Sequence, residues 1–199
     1  MQSILASPAK SLALGGVLAL AILIGWIAGE GADSVGLLSF LLRFAHVLAA
    51  MIWLGMIWFV NFIQMRAVAE ADEQGRALLM RRVVPRVAAT FRHAAHLTVA
   101  SGVLLLITSG YMFDWLVYAA EVHVPPLRGA LLWSGVMGGL AMWVFVNMLI
   151  GPSLQILLGE TADADAKGAA RARIATFARL NLVLSVPVTF VMVAAAHLY

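Results

Sequence analysis

The chain has 199 residues, 63% hydrophobic and only 12% charged, with a formal net charge of +3. A soluble domain is nearer half apolar and a quarter charged, so this excess cannot be hidden in one small core and must face lipid. Basic residues form no long run and do not interleave with aromatics, which excludes a nucleic-acid partner, and the absence of cysteine excludes disulfides, thiolate metal sites, a nucleophilic Cys and covalent c-type haem, which needs C-x-x-C-H.

Crossing a bilayer takes about 20 helical residues. Five apolar stretches meet that length, at 11–28, 35–63, 94–118, 129–150 and 180–197. The expected fold is an all-α integral membrane protein, a single helical domain over 1–199. The first stretch is longer than the apolar core of a signal peptide and is followed by a poor small-residue site, so it reads as a retained anchor helix. The connecting segments set the orientation. Lys10, six arginines from Arg66 to Arg92, and Lys167, Arg171, Arg173 and Arg179 fall on one side; Arg128 and Arg43 are on or near the other. The positive-inside rule then predicts a cytoplasmic N-terminus, a periplasmic C-terminus and a multi-pass protein of a bacterial-type inner membrane.

Polar groups in apolar helices mark function or helix–helix contact. On the second stretch Arg43, His46, Trp53, Asn61 and Gln64 share one stripe at about 100° per residue. Asn61 and Gln64 read mainly as inter-helix hydrogen-bonding groups. His46 reads as a ligand for the iron of a b-type haem. Arg43, one turn outward, pairs with a propionate or snorkels to the headgroups.

The segment 77–87, with paired arginines and Pro85, is expected to lie along the interface as a short amphipathic helix. His93 and His96 follow on one face of the third stretch, continued by Tyr111 and Asp114. Three residues apart, these histidines cannot bind opposite sides of one haem. They can share a compact metal ion as a second site, or simply be interfacial and packing residues. Pro125-Pro126 ends any helix in the outer loop, where His123 reads as solvated.

On the fourth stretch Gly135, Gly138 and Gly139 allow close helix approach, Trp143, Asn147 and Gln155 recur at fourfold spacing, and Pro152 is expected to kink or end the helix. The fifth carries Asn181, Ser185, Pro187 and Thr189 and closes on His197. Pro187 frees a carbonyl that Ser185 or Thr189 is expected to compensate. In depth, His46 and His197 belong to the outer half and His96 to the inner half, about 10 Å or more away at 1.5 Å per residue. The preferred haem pair is therefore His46 with His197.

Four segments carry a family resemblance: Leu42–Ala49 continuing to Trp53-Leu54-Gly55 and Asn61-Phe62; Val84-Pro85-Arg86 with Phe91-Arg92; Met142-Trp143 through Asn147 to Gly151-Pro152; and Asn181 to Ser185-Val186-Pro187, ending Ala195-Ala196-His197. In this order they resemble the urate oxidase N-terminal domain family, the membrane domain of membrane-bound urate hydroxylases. His46 and His197 match the family's motif histidines, while His93 and His96 depart from its pattern, in which an aromatic residue follows the Phe-Arg pair. The resemblance implies a membrane redox protein passing electrons toward a cytochrome c. Longer members carry a C-terminal cytochrome c domain; without C-x-x-C-H, this chain is expected to use a separate cytochrome c or respiratory-complex partner.

Three readings follow. The first is a haem-b membrane redox protein with one or two haems. The second is a urate- or purine-oxidising enzyme, with Arg43 and Arg92 as anion contacts. The third is a metal or haem transport or assembly factor, or a structural subunit. A homo-oligomer is compatible with each. No phosphate loop, G-x-S-x-G or H-E-x-x-H supports a hydrolase, kinase or nucleotide enzyme, and the polar stripes are too short to define a pore.

Overall fold

A computed structural model describes residues 5–31, 33–112, 126–159 and 161–197, and every regular element among them is helical. Five helices are long and apolar enough to cross a membrane: α1 Pro8–Glu30, α2 Ser34–Glu70, α3 Glu73–Thr108, α4 Leu127–Leu158 and α5 Ala164–His197. The chain divides into two compact units, Met1–Phe40 and Leu41–Tyr199. In the first, α1 buries no residue, and Trp26 and Phe40 meet with ring centroids 5.7 Å apart. In the second, the remainder of α2 packs with α3, α4 and α5 around Trp53, Ile57, Ala94, Ala95 and Met142.

The helices run well beyond the apolar stretches at their polar ends. α2 continues to Glu70, α3 begins at Glu73 rather than near residue 94, and α5 begins at Ala164 rather than 180. Aspartates start three of these helices: the carboxylates of Asp33, Asp72 and Asp163 accept from the backbone N–H groups of Gly36, Gly75 and Ala166 at 2.6–2.7 Å. Such caps satisfy donors that a helix start leaves unpaired. Asp72 and Asp163 thereby turn most of the expected basic loops into helix. At its other end α3 stops at Ser109-Gly110, where Gly110 takes φ +78, so the expected continuous stretch to 118 is broken. Residues 113–118, including Asp114, and His123 lie outside the described residues.

Proline does not end the helices it enters. π-helical turns at Leu79–Val83 and Phe145–Ile150 come just before Pro85 and Pro152, and α-helix resumes at once. A proline lacks the N–H that an α-turn would need and crowds the carbonyl four residues back; a wider turn relieves both. The segment 77–87 is thus the first part of α3 and not a separate interfacial helix, and α4 runs on to Leu158. A third π-turn, Val60–Gln64, lies in α2.

Small residues set the closest approach in the bundle. A Cβ on Gly138 would sit 2.5 Å from Val188 Cγ2, and one on Gly135 would meet Met192 at 3.0 Å, whereas Gly139 faces open space. Around Pro187, Ser185 Oγ donates to Leu182 and Thr189 Oγ1 to Ser185. These bonds flank the Val183 carbonyl that the proline frees and do not reach it. At the end near Gly110, Arg128 Nε donates to the Ala195 carbonyl at 3.0 Å and its guanidinium lies 5.8 Å from the Tyr111 ring centroid. Val183, Phe190 and Val186 on α5, and Met51, Phe62 and Ile63 on α2, remain outside this core. Apolar surface on this scale suits lipid and not water.

Candidate functional site

His46 stands on α2 facing α3. Its Nδ1 lies 2.9 Å from the Thr98 carbonyl oxygen and 3.3 Å from Ser101 Oγ. A carbonyl can only accept, so Nδ1 carries the proton and Nε2 keeps its lone pair. The seat is tight: a Cβ on Gly102 would come within 2.9 Å of His46 Cε1 and 3.2 Å of Nδ1. The seat's other polar groups are also satisfied, Thr98 Oγ1 donating to Ala94 and Ser101 Oγ to Leu97.

His96 has the opposite tautomer. Trp143 Nε1–H donates to His96 Nδ1 at 3.0 Å, and the rings meet edge to face at 5.6 Å. Indole can only donate, so Nδ1 accepts and the proton lies on Nε2, leaving no free lone pair. The two histidines are closer in depth than expected, because His46 meets Thr98, two residues from His96. Rotation separates them instead: Thr98 lies about 200° around α3 from His96. His96 and His93 are exposed on α3. Among the described residues no group of three or more His, Asp or Glu is arranged to hold a metal ion.

Arg43 is exposed, one turn from His46 toward the start of α2, and His197 is exposed at the end of α5. From the level at which Asn61 Nδ2 reaches the Ala178 carbonyl, His46 lies about 22 Å and His197 about 28 Å along their helices, toward the same end. No hydrogen bond joins the two among the described residues.

The other end of the bundle holds a cavity of about 690 Å³, lined mainly by apolar side chains of α2 to α5 together with the amides Asn61, Gln64, Gln155 and Asn181 and the arginines Arg76, Arg92 and Arg171. Asn61 reads in the sequence mainly as a helix–helix contact, and it is one: Nδ2 donates to the carbonyls of Ile57 at 2.9 Å and Ala178 at 3.2 Å. Its Oδ1, however, is buried without a partner, as are Gln64 Oε1 and both amide atoms of Asn181. Sequence reasoning did not bring these residues together. The available signal was an amide pair three residues apart on α2 and a third amide on α5; the π-turn at Val60–Gln64 has no signature of its own.

The chain matches no protein-family model, no curated protein and no solved structure.

Proposed function

We propose that this chain is a multi-pass membrane redox protein in which His46 binds the iron of a b-type haem. The carrying observation is the bond from His46 Nδ1 to the Thr98 carbonyl, which fixes the ring and leaves Nε2 as a ligand. Metal-binding histidines commonly donate their second ring N–H to a carbonyl in this way, which fixes the tautomer and raises ligand basicity. The residues present would suit a haem: His46, its imidazole packed against Gly102, would hold the iron, and Arg43 one turn away would meet a propionate. Bound haem would supply one-electron chemistry. The protein's own part is to hold the imidazole neutral and oriented.

The resemblance to the urate oxidase N-terminal domain family supports the same class, and His197 is its other matching histidine, toward the same end as His46. The distribution of basic residues supports an inner-membrane orientation with the Arg66–Arg92 side in the cytoplasm. Electrons would then leave on the periplasmic side to a separate cytochrome c or respiratory complex.

The test is a dithionite-reduced minus oxidised spectrum with a pyridine haemochrome assay on protein produced with ample haem. A b-type signal that disappears in a folded His46→Ala variant is the expected result. A folded, colourless wild type would overturn the proposal.

A further inference from the structure

We propose that the recesses at the Asn61 end of the bundle hold an anionic phospholipid of the surrounding bilayer, with an acyl chain in the apolar cavity and the phosphate on Arg81, Lys167 and Arg171. The inference rests on the membrane part of the proposed function and not on the haem, since His46 is not among the lining residues.

Apolar walls extend beyond the apolar stretches of the helices that carry them. The larger recess, about 690 Å³, is lined on α2 by Val60, Met65 and Val68, on α4 by Leu154 and Leu157, and on α5 by Ile174. Each of these side chains is only half-buried, so the bundle leaves part of its apolar surface uncovered. The apolar stretches of α3 and α5 begin at 94 and 180, whereas the recess is walled by α3 from Arg76 to Arg92 and by α5 from Arg171 to Asn181. Its lining thus reaches past the end of the hydrocarbon, where apolar surface left bare would meet water. An acyl chain drawn up from the adjacent bilayer covers that lining without itself entering water.

Positive charge gathers at one mouth of this apolar space. A smaller recess shares Met80, Pro85, Leu157, Leu158 and Arg171 with the larger one and adds Arg81 and Lys167. Lys167 and Arg171 are one turn apart on α5 and share a face, and Arg81 belongs to the π-turn Leu79–Val83 of α3. None of these three side chains makes an ion pair or hydrogen bond among the described residues. No carboxylate lines either recess among the described residues. The other two arginines of the larger recess differ. Arg76 is committed to the carbonyls of Val68, Ala69 and Ala71, and Arg92 lies about 16 Å beyond Arg81 along α3. Basic pockets between helices on the cytoplasmic side bind anionic headgroups, and the orientation proposed above puts this end there. A free phosphate would answer the cations and leave the apolar walls bare. A neutral lipid would do the reverse. An anionic lipid answers both.

The experiment is native mass spectrometry of the full chain in a neutral detergent. The probes are phosphatidylglycerol, phosphatidylcholine with the same acyl chains, and glycerol 3-phosphate. Phosphatidylglycerol is expected to bind roughly tenfold or more tighter than phosphatidylcholine, and glycerol 3-phosphate is expected not to displace it at matched ionic strength. The double variant Lys167→Gln with Arg171→Gln is expected to bring phosphatidylglycerol down to the level of phosphatidylcholine, whereas Arg92→Gln leaves the preference unchanged. Ala175→Trp puts an indole into the larger recess and is expected to weaken both lipids with the helical far-UV spectrum retained. The proposal is overturned by equal binding of the two lipids, by a preference that survives the double variant, by an equal loss in Arg92→Gln, or by undiminished binding in folded Ala175→Trp. Displacement by glycerol 3-phosphate would also overturn it, because the site would then serve a soluble phosphate. Cell fractionation checks the membrane reading separately. A chain found in the soluble fraction overturns that reading and this inference with it; a membrane-bound chain without the lipid preference overturns this inference alone.

Discussion

The two ends of the α2–α5 bundle handle buried polar groups in opposite ways. Around His46, the imidazole, Thr98 and Ser101 all have partners, and the ring occupies space that a side chain on Gly102 would need. Around Asn61, Gln64 and Asn181, buried amide atoms have none. A closed network fixes the direction of one remaining lone pair, as an orienting site requires. An open one stores an unmet need for hydrogen bonds that only a ligand or water can meet. Polar residues spread through one apolar helical bundle can thus be finished structure at one end and unfinished structure at the other.

The largest test of this contrast is His46→Ala. In the proposed reading it removes the protein ligand outright, and haem content measured by pyridine haemochrome is expected to fall to background. Gly102→Ala acts one step further out. The new Cβ would come within 2.9 Å of the ring, so the imidazole must move and the bond to Thr98 must lengthen. Haem affinity is expected to fall by about 10–100-fold, the usual range for losing an outer-shell partner, with the helical far-UV spectrum retained. If Gly102→Ala left haem affinity intact, the seat around His46 would be packing and nothing more.

At the other end the sign reverses. Asn181→Leu replaces a buried amide with two unpaired atoms by an apolar side chain of similar size. It is expected to stabilise the unliganded protein by about 1–3 kcal/mol, the cost of an unsatisfied buried polar group, read as a raised thermal midpoint in detergent. No substitution of the paired groups around His46 should do this.

Much of the architecture was legible because bilayer thickness imposes a length on every apolar stretch; four of the five stretches fall within helices of the structure, and the third, 94–118, does so as far as Thr108. The helix ends were not, because hydropathy is silent where a helix leaves lipid. There Asp72 and Asp163 decided the outcome through capping bonds, a signal that was present in the sequence. The prolines misled for a different reason: Pro85 and Pro152 follow π-turns, which absorb the missing N–H. His46 stood out because a lone imidazole in an apolar helix is costly. The cavity did not, because Asn61 and Asn181 come from helices far apart in sequence, and only the folded chain puts them in one wall.

The smallest effect concerns His96. It shares α3 with the His46 seat, yet its ring is oriented by Trp143 and not by a carbonyl, which leaves the proton on Nε2. Trp143→Phe deletes that single inter-helix hydrogen bond while keeping an aromatic ring in place. Hydrogen bonds between membrane helices average about 0.6 kcal/mol, so the thermal midpoint should fall only slightly. The tautomer should respond more clearly. With Nδ1 no longer held by the indole, His96 becomes free to exchange between its two neutral forms, and its ring ¹⁵N shifts should move from those of an Nε2–H imidazole toward a mixture. The ¹⁵N shifts of His46 should stay put, because the Thr98 carbonyl still holds its proton on Nδ1. Movement of the His46 signals together with those of His96 would mean that the two rings are coupled through α3, and the separation drawn between them by rotation around that helix would fail.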